Sequence, residues 1–429
     1  MILNKGSPHN RNEPELRAKA RHKSIFANTP KSVFSLAIAL MLMRCAESLF
    51  VPILPLYVRV LDASIPLFII GLVTSINRFG IVLITPVAGS WCDRIGYGKP
   101  YMVGVFLASG ACIMGGISSG AIDLGLYRLL SGMGYGTVTI TTMAFANGVT
   151  TSENRATAMS LISASMLAGA AIGPLPGGYI AQSFSTLLFG YRATFFVGGF
   201  IELLIGIFTF FIITSQTRKR IAQTPETVQK SLFNRNLLMN KGVSVTSSAS
   251  FLFGIAHGAF LYFTVPLLGD KFGFRPFEIG WIISAFGAGH VFGSLILGPI
   301  SDQINRRKPF IFMGFFGPGV VILLFTLLHN ISLMALSTFI LGVVTSPCCG
   351  IIPALIAESA PETPASAMGV GKSAEQLGLF FGPIVGGTLI PTLGFTNSIL
   401  LYAAITMTGS LIFIIGVPEP LLLKTGPKS

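Results

Sequence analysis

Residues 169–178 read Gly-Ala-Ala-Ile-Gly-Pro-Leu-Pro-Gly-Gly, four glycines and two prolines in an otherwise apolar run. In a water-exposed helix interior each glycine costs about 1 kcal/mol and each proline about 3 relative to alanine. Yet residues 378–387, displaced by 209, read GLFFGPIVGG with the same G-x-x-x-G-P-x-x-G-G spacing. The offset extends outward. Residues 158–178 match 367–387 at 7 of 21 positions, and residues 68–100 match 277–309 at 11 of 33. The second block keeps Gly71/Gly280, Gly89/Gly298, Asp93/Asp302, Lys99/Lys308 and Pro100/Pro309 in one register. Chance apolar similarity scatters over offsets and does not hold Asp, Lys, Pro and Gly together, so the chain is a parallel repeat of two halves.

Composition sets the solvent. The 429 residues are 52% hydrophobic and only 10% charged, far from the quarter expected of a soluble domain. Apolar stretches of 18 or more residues recur along the chain, each long enough to cross a bilayer as a helix. The expected fold class is an all-α membrane protein of twelve spans. The spans fall near 33–57, 67–89, 101–118, 122–147, 157–182 and 191–213, then 243–268, 277–300, 309–328, 331–357, 365–391 and 396–418. This divides the chain into a basic tail (1–32), a six-helix half (33–213), a polar linker (214–242), a second six-helix half (243–418) and a short tail (419–429).

The net charge of +13 fits this layout better than a nucleic-acid partner. With both termini on one side, 21 Lys and Arg fall in the tails, the linker and the loops of that side, against 4 on the other. That asymmetry places the termini in the cytoplasm. The first apolar segment is too long for a signal peptide and carries Arg44 and Glu47, so it reads as an uncleaved span. The five cysteines lack metal-ligand spacing, and no cofactor or metal is expected. Gly369-Val-Gly-Lys-Ser373 imitates the end of a phosphate-binding loop. Position 366 is serine rather than glycine and no strand precedes it, so nucleotide binding is not expected.

The loop after the second span, Gly89-Ser-Trp-Cys-Asp-Arg-Ile-Gly-Tyr-Gly-Lys99, resembles the G-x-x-x-D-R-x-G-R-[KR] motif of the major facilitator superfamily. Its second copy runs from Gly298 to Lys308, and the resemblance covers residues 33–418. Tyr97 stands where the family has Arg, whereas the second copy keeps Arg306. Gly89 and Gly298 remove side chains where helices are expected to approach closely. Asp93 and Asp302 are carboxylates at helix ends, able to meet a helix N-terminus or the basic Arg94, Lys99 and Arg306. Together they read as a latch on the cytoplasmic side. Tyr127–Gly134 is similar to the family's R-x-x-Q-G-x-G pattern, with Ser131 in place of Gln. The resemblance implies a proton-transfer role for Arg128.

The opening stretch is also similar to the motif G-x8-G-x3-G-P-x2-G-G associated with antiporters of this superfamily. Ser160 replaces its first glycine, and the second copy is complete from Gly369. Small residues four apart make a groove for close helix contact. Gly169, Gly173, Pro174, Gly177 and Gly178, with Gly378, Gly382, Pro383, Gly386 and Gly387, therefore read as a paired hinge between rocking halves.

Three carboxylates sit well inside spans, away from their ends: Glu47, Glu202 and Glu375. Ionisable groups are costly in a bilayer and mark ion pathways. Glu47 lies one turn from Arg44 and Glu375 one turn from Lys372, so each has a partner within reach. By resemblance to drug:proton antiporters with an acid in span 1, Glu47 ranks first as the proton or cation site and Glu375 second. Glu202 ranks third, because span 6 packs at the periphery in that family. Arg44, Arg78, Arg128 and Lys372 give the interior a slight positive excess over the three acids. Arg44, Arg78, His257 and Lys372 are the expected cavity residues. His257 and His290 carry the ring that titrates near neutral pH, although each is more often a packing residue.

The resemblance implies a secondary active transporter of the cell membrane and not an enzyme. It is expected to be a monomeric, proton-coupled antiporter exporting small amphipathic, drug-like molecules by alternating access. Export of an endogenous anionic metabolite, such as a carboxylate siderophore, is the alternative. A transport-inactive membrane receptor is the alternative of another class.

Overall fold

The computed structural model describes residues 30–150, 155–220, 239–304, 306–360 and 362–417, and all regular structure among them is helical. The first block holds α1 (Lys31–Ser48), α2 (Leu54–Leu61), α3 (Leu67–Ile95), α4 (Gly98–Gly116), α5 (Ala121–Val149), α6 (Arg155–Ile172), α7 (Pro174–Gln182) and α8 (Leu187–Arg220). The second holds α9 (Lys241–His257), a π-helical segment (Gly258–Thr264), α10 (Val265–Lys271), α11 (Pro276–Ile304), α12 (Lys308–Phe325), α13 (Ile331–Thr345), α14 (Pro347–Ser359) and α15 (Pro364–Gly416). Eight helices among the described residues are long and apolar enough to cross a membrane.

Local chemistry sets the ends. Asn240 and Asn330 cap α9 and α13 by accepting backbone N–H bonds through their side chains. Asp123 accepts from the backbone N–H groups of Ser119 and Gly120 at the start of α5. The 53 residues of α15 are too many for one crossing, and Gly394 divides them with a left-handed φ of 77°. The expected spans 11 and 12 are its two arms.

The expected first span is not one helix. The chain leaves α1 at Leu49 and re-enters helix at Leu54, with Pro52 in the gap. The corresponding place in the second half is the π-helical Gly258–Thr264. Both halves thus interrupt their opening span at the same level, a recurring mark of transporter sites.

Glycines write the two-fold symmetry into the contacts. A β carbon on Gly71 would lie less than 3 Å from the Pro383 carbonyl oxygen, and one on Gly280 equally close to that of Pro174. Gly178 meets the carbonyl of Pro276 in the same way, and Gly387 that of Leu67. Each pair becomes the other under the 209-residue offset. All four contacts join the first block of helices to the second near the loops at 62–66 and 272–275, the lysine- and arginine-poor end. Within the first block, Gly169, Gly173 and Gly177 press on the carbonyls of Met41, Cys45 and Leu49, also four apart. Gly378 and Gly382 do the same to Phe251 and Ile255.

The basic end differs. A β carbon on Gly89, Gly298, Gly350 or Gly369 would meet nothing within 4 Å. The expectation of close helix approach at Gly89 and Gly298 is therefore corrected for this conformation. The two blocks are in backbone contact at the lean end, whereas these four glycines face open space at the basic end.

Candidate functional site

The paired interruptions flank a cavity between the two blocks. Glu47 from α1, Val51 and Leu54 beside the break, Arg78 from α3, Arg128 from α5, Tyr262 from the π-helical segment and Pro383 from α15 all line it. An unwound segment exposes side chains and backbone that a continuous helix would turn away.

Three guanidiniums surround one lining carboxylate. Arg44 hydrogen-bonds and ion-pairs with Glu47 one turn along α1, while its guanidinium lies 5.4 Å from the Tyr135 ring centroid. Arg128 is 6% exposed and lies 4.5 Å from the Phe50 ring centroid; its Nε and Nη1 have no hydrogen-bond partner among the described residues. Arg78 lies 5.7 Å from the centroid of Tyr262. Neither Arg78 nor Arg128 has an ion pair among the described residues. Cation–π contacts contribute about 0.5–2 kcal/mol each, short of a buried charge's desolvation cost. The cavity is positively charged and under-satisfied.

The backbone behind it is close-packed. Gly132 of α5 presses on the Asn77 carbonyl of α3, and the Asn77 amide donates to Ser131 Oγ at 3.2 Å. Ser131 Oγ donates to the Arg128 carbonyl at 3.1 Å. The serine that replaces glutamine in the motif thus ties α3 to the turn carrying Arg128.

Glu202 is not peripheral. It is 3% exposed on α8, its Oε2 has no hydrogen-bond partner among the described residues, and it lies within electrostatic reach of Glu47, Arg128 and Arg44. The sequence carried no signal of its facing, because α8 is apolar all round before its basic end and lacks an amphipathic period.

The remaining candidates lie elsewhere. Glu375 pairs with Lys372 at 2.8 Å on α15, and the Lys372 side chain is exposed. His257 stacks on Phe253 at 5.3 Å and lines a small separate void with Pro318, Ile322 and Thr406. His290 Nδ1 is 3.4 Å from Thr345 Oγ1. At the basic end Arg94, Lys99 and Arg306 are exposed, and the side chains of Asp93 and Asp302 lie outside the described residues. A pair absent from the sequence reading, Arg307 with Glu358 at 2.8 Å, ties the start of α12 to the end of α14.

A family model described as Major Facilitator Superfamily matches residues 36–274 and 246–429. Multidrug resistance protein 2 of Bacillus subtilis is 24% identical over 345 residues, 80% of this chain and 84% of that one. The multi-drug resistance efflux pump PmrA of Streptococcus pneumoniae is 27% identical over 350 residues, 79% of this chain and 83% of that one. The crystal structure of a D-xylose-proton symporter superposes with a TM-score of 0.72 at 13% identity, covering 90% of this chain and 97% of that one.

Proposed function

Because the chain belongs to the major facilitator superfamily, and is thus a multi-pass membrane transporter, we propose that it is a proton-coupled antiporter exporting small amphipathic molecules. The names of its multidrug-resistance relatives support the direction of transport. The observation that carries the reading is the charged cavity between two related blocks, in backbone contact at one end and with Gly89, Gly298, Gly350 and Gly369 facing open space at the other. In an alternating-access cycle this is the state open to the basic, cytoplasmic side. Substrate enters from the membrane inner leaflet or cytoplasm and meets Glu47, Arg78 and Arg128. Rocking then opens the lean end and brings Gly89, Gly298 and the loops of Asp93 and Asp302 together as the latch. The glycine-proline stretches, anchored on α1 and α9 and touching the opposite block, act as the hinge.

In this reading the protein has twelve spans, in halves bounded near 33–213 and 243–418, both termini in the cytoplasm, and works as a monomer in the cell membrane. Glu47 and Glu202 carry protons. Arg128, placed between the two, sets when each releases its proton.

The test is proton movement in proteoliposomes, driven by a panel of cationic drugs and anionic metabolites. Substrate addition is expected to drive protons in the opposite direction, with Glu202→Gln reducing that flux at least about tenfold and Glu375→Gln by less than about threefold. The ranking follows burial and pairing: Glu202 is 3% exposed with no ion pair among the described residues, whereas the Glu375 side chain is 19% exposed and already held by Lys372. Substrate uptake without proton movement would remove the coupling, and equal effects of the two substitutions would remove the site assignment.

A further inference from the structure

The cavity's charge does not balance, and the imbalance has a chemical identity. Three guanidiniums (Arg44, Arg78, Arg128) share the region with two carboxylates, Glu47 and Glu202. Glu47 is already taken by Arg44. Glu202 is not among the residues lining the cavity and does not pair with either remaining arginine within ion-pair distance. Arg78 and Arg128 therefore face the space with no ion pair among the described residues, sharing only the field of a Glu47 that Arg44 already holds, and two of Arg128's nitrogens have no hydrogen-bond partner. Such a group in a bilayer interior is costly unless something neutralises it.

We infer that the cavity between Arg78 and Arg128 is an anion subsite, taking an amphipathic molecule by a carboxylate. A guanidinium is a planar fork of donors that matches a carboxylate's two oxygens, and an arginine in an apolar wall binds one better than a hydrated lysine would. The rest of the wall, Val51, Leu54, Leu379 and the ring of Tyr262, suits an apolar or aromatic body. Arg78 already lies against that ring. A cationic ligand would have to displace or oppose both arginines, with Glu47's charge offset by Arg44. This inference rests on the transporter reading for its meaning, but not for its measurement.

Three matched probes decide it: 2-naphthoate, 2-naphthamide and 2-naphthylmethylammonium, which share a ring system and differ in charge. Binding to the purified full-length protein in detergent is measured by isothermal titration calorimetry, without any gradient. The carboxylate is expected to bind at least about tenfold tighter than the amide, and the ammonium no tighter than the amide. Arg78→Gln, at a partly exposed position, is expected to bring carboxylate and amide within about threefold, and Arg128→Gln to do the same. Should Arg128→Gln fail to fold, the wild-type series and Arg78→Gln still decide. Equal affinities, tighter ammonium binding, or no saturable carboxylate binding would overturn the inference. A chain that prefers the carboxylate yet moves no protons in proteoliposomes would keep the subsite and lose the antiporter.

Discussion

Gly178→Leu and Gly387→Leu are each expected to hold the lean end open and to reduce transport sharply while leaving a folded protein. Their α carbons face the carbonyls of Pro276 and Leu67 on the opposite block, so closely that even a β carbon would lie less than 3 Å away. Overpacking of this kind costs about 1–3 kcal/mol. In the proposed rocking cycle that cost falls on one state and corresponds to about a 5- to 150-fold loss in its population. The readout is alkylation of a cysteine placed at Ile70, buried beside the Gly71–Pro383 contact at the block boundary, by a membrane-impermeant maleimide. Labelling should rise in both variants. Gly177→Leu is the contrasting control, because its collision is with Leu49 inside one block and no rocking relieves it. That variant should lose folded yield instead. If all three lose yield alike, the lean-end contacts are static packing and not a gate.

Glu47→Gln should be the most damaging change to coupling, and its stability effect can be separated from its functional one. Removing the carboxylate leaves Arg44, whose side chain is only 13% exposed, without its ion-pair partner. Breaking a buried pair by deleting one member costs about 3–5 kcal/mol, whereas replacing both members by neutral groups is often close to neutral. The single variant should therefore lower the melting temperature, and Arg44→Gln/Glu47→Gln should largely restore it. Neither should regain substrate-driven proton flux if Glu47 carries the proton. Recovery of flux in the double variant would reduce Glu47 to a structural counter-ion of Arg44.

How far the sequence was readable follows from what each feature depends on. The repeat survived in Gly, Pro, Asp and Lys because those residues do backbone or end-of-helix work that an apolar substitute cannot do. The glycines four apart foretold close helix contact, and they meet carbonyls four apart on α1 and α9. Which block each glycine faces was not legible, since Gly177 and Gly178 are neighbours in sequence yet contact opposite sides of the boundary. The break at 49–53 announces itself only through Pro52, and the π-helical GAFLYFT segment contains no proline and only one glycine, Gly258 at its start. Glu202 was misjudged because a helix apolar on every side gives periodicity nothing to report. Gly89 and Gly298 were read for an approach that this conformation does not make. A sequence superposes all states of a moving protein, and a structure separates them.

The lean-end contact also says something about leakage. It consists of glycine α carbons against carbonyl groups, with an exposed Arg59–Asp270 pair at its rim. Dispersion between touching surfaces is short-ranged, and a gap of 0.5–1 Å forfeits roughly a quarter to a half of it. A joint of that kind is brittle. It cannot stand slightly ajar at low cost, because a small separation loses much of the attraction before water has room to enter and compensate. The two mirrored glycine pairs should thus release together, as one event. A transporter sealed in this way avoids the half-open state through which ions would otherwise trickle down their gradient unaccompanied.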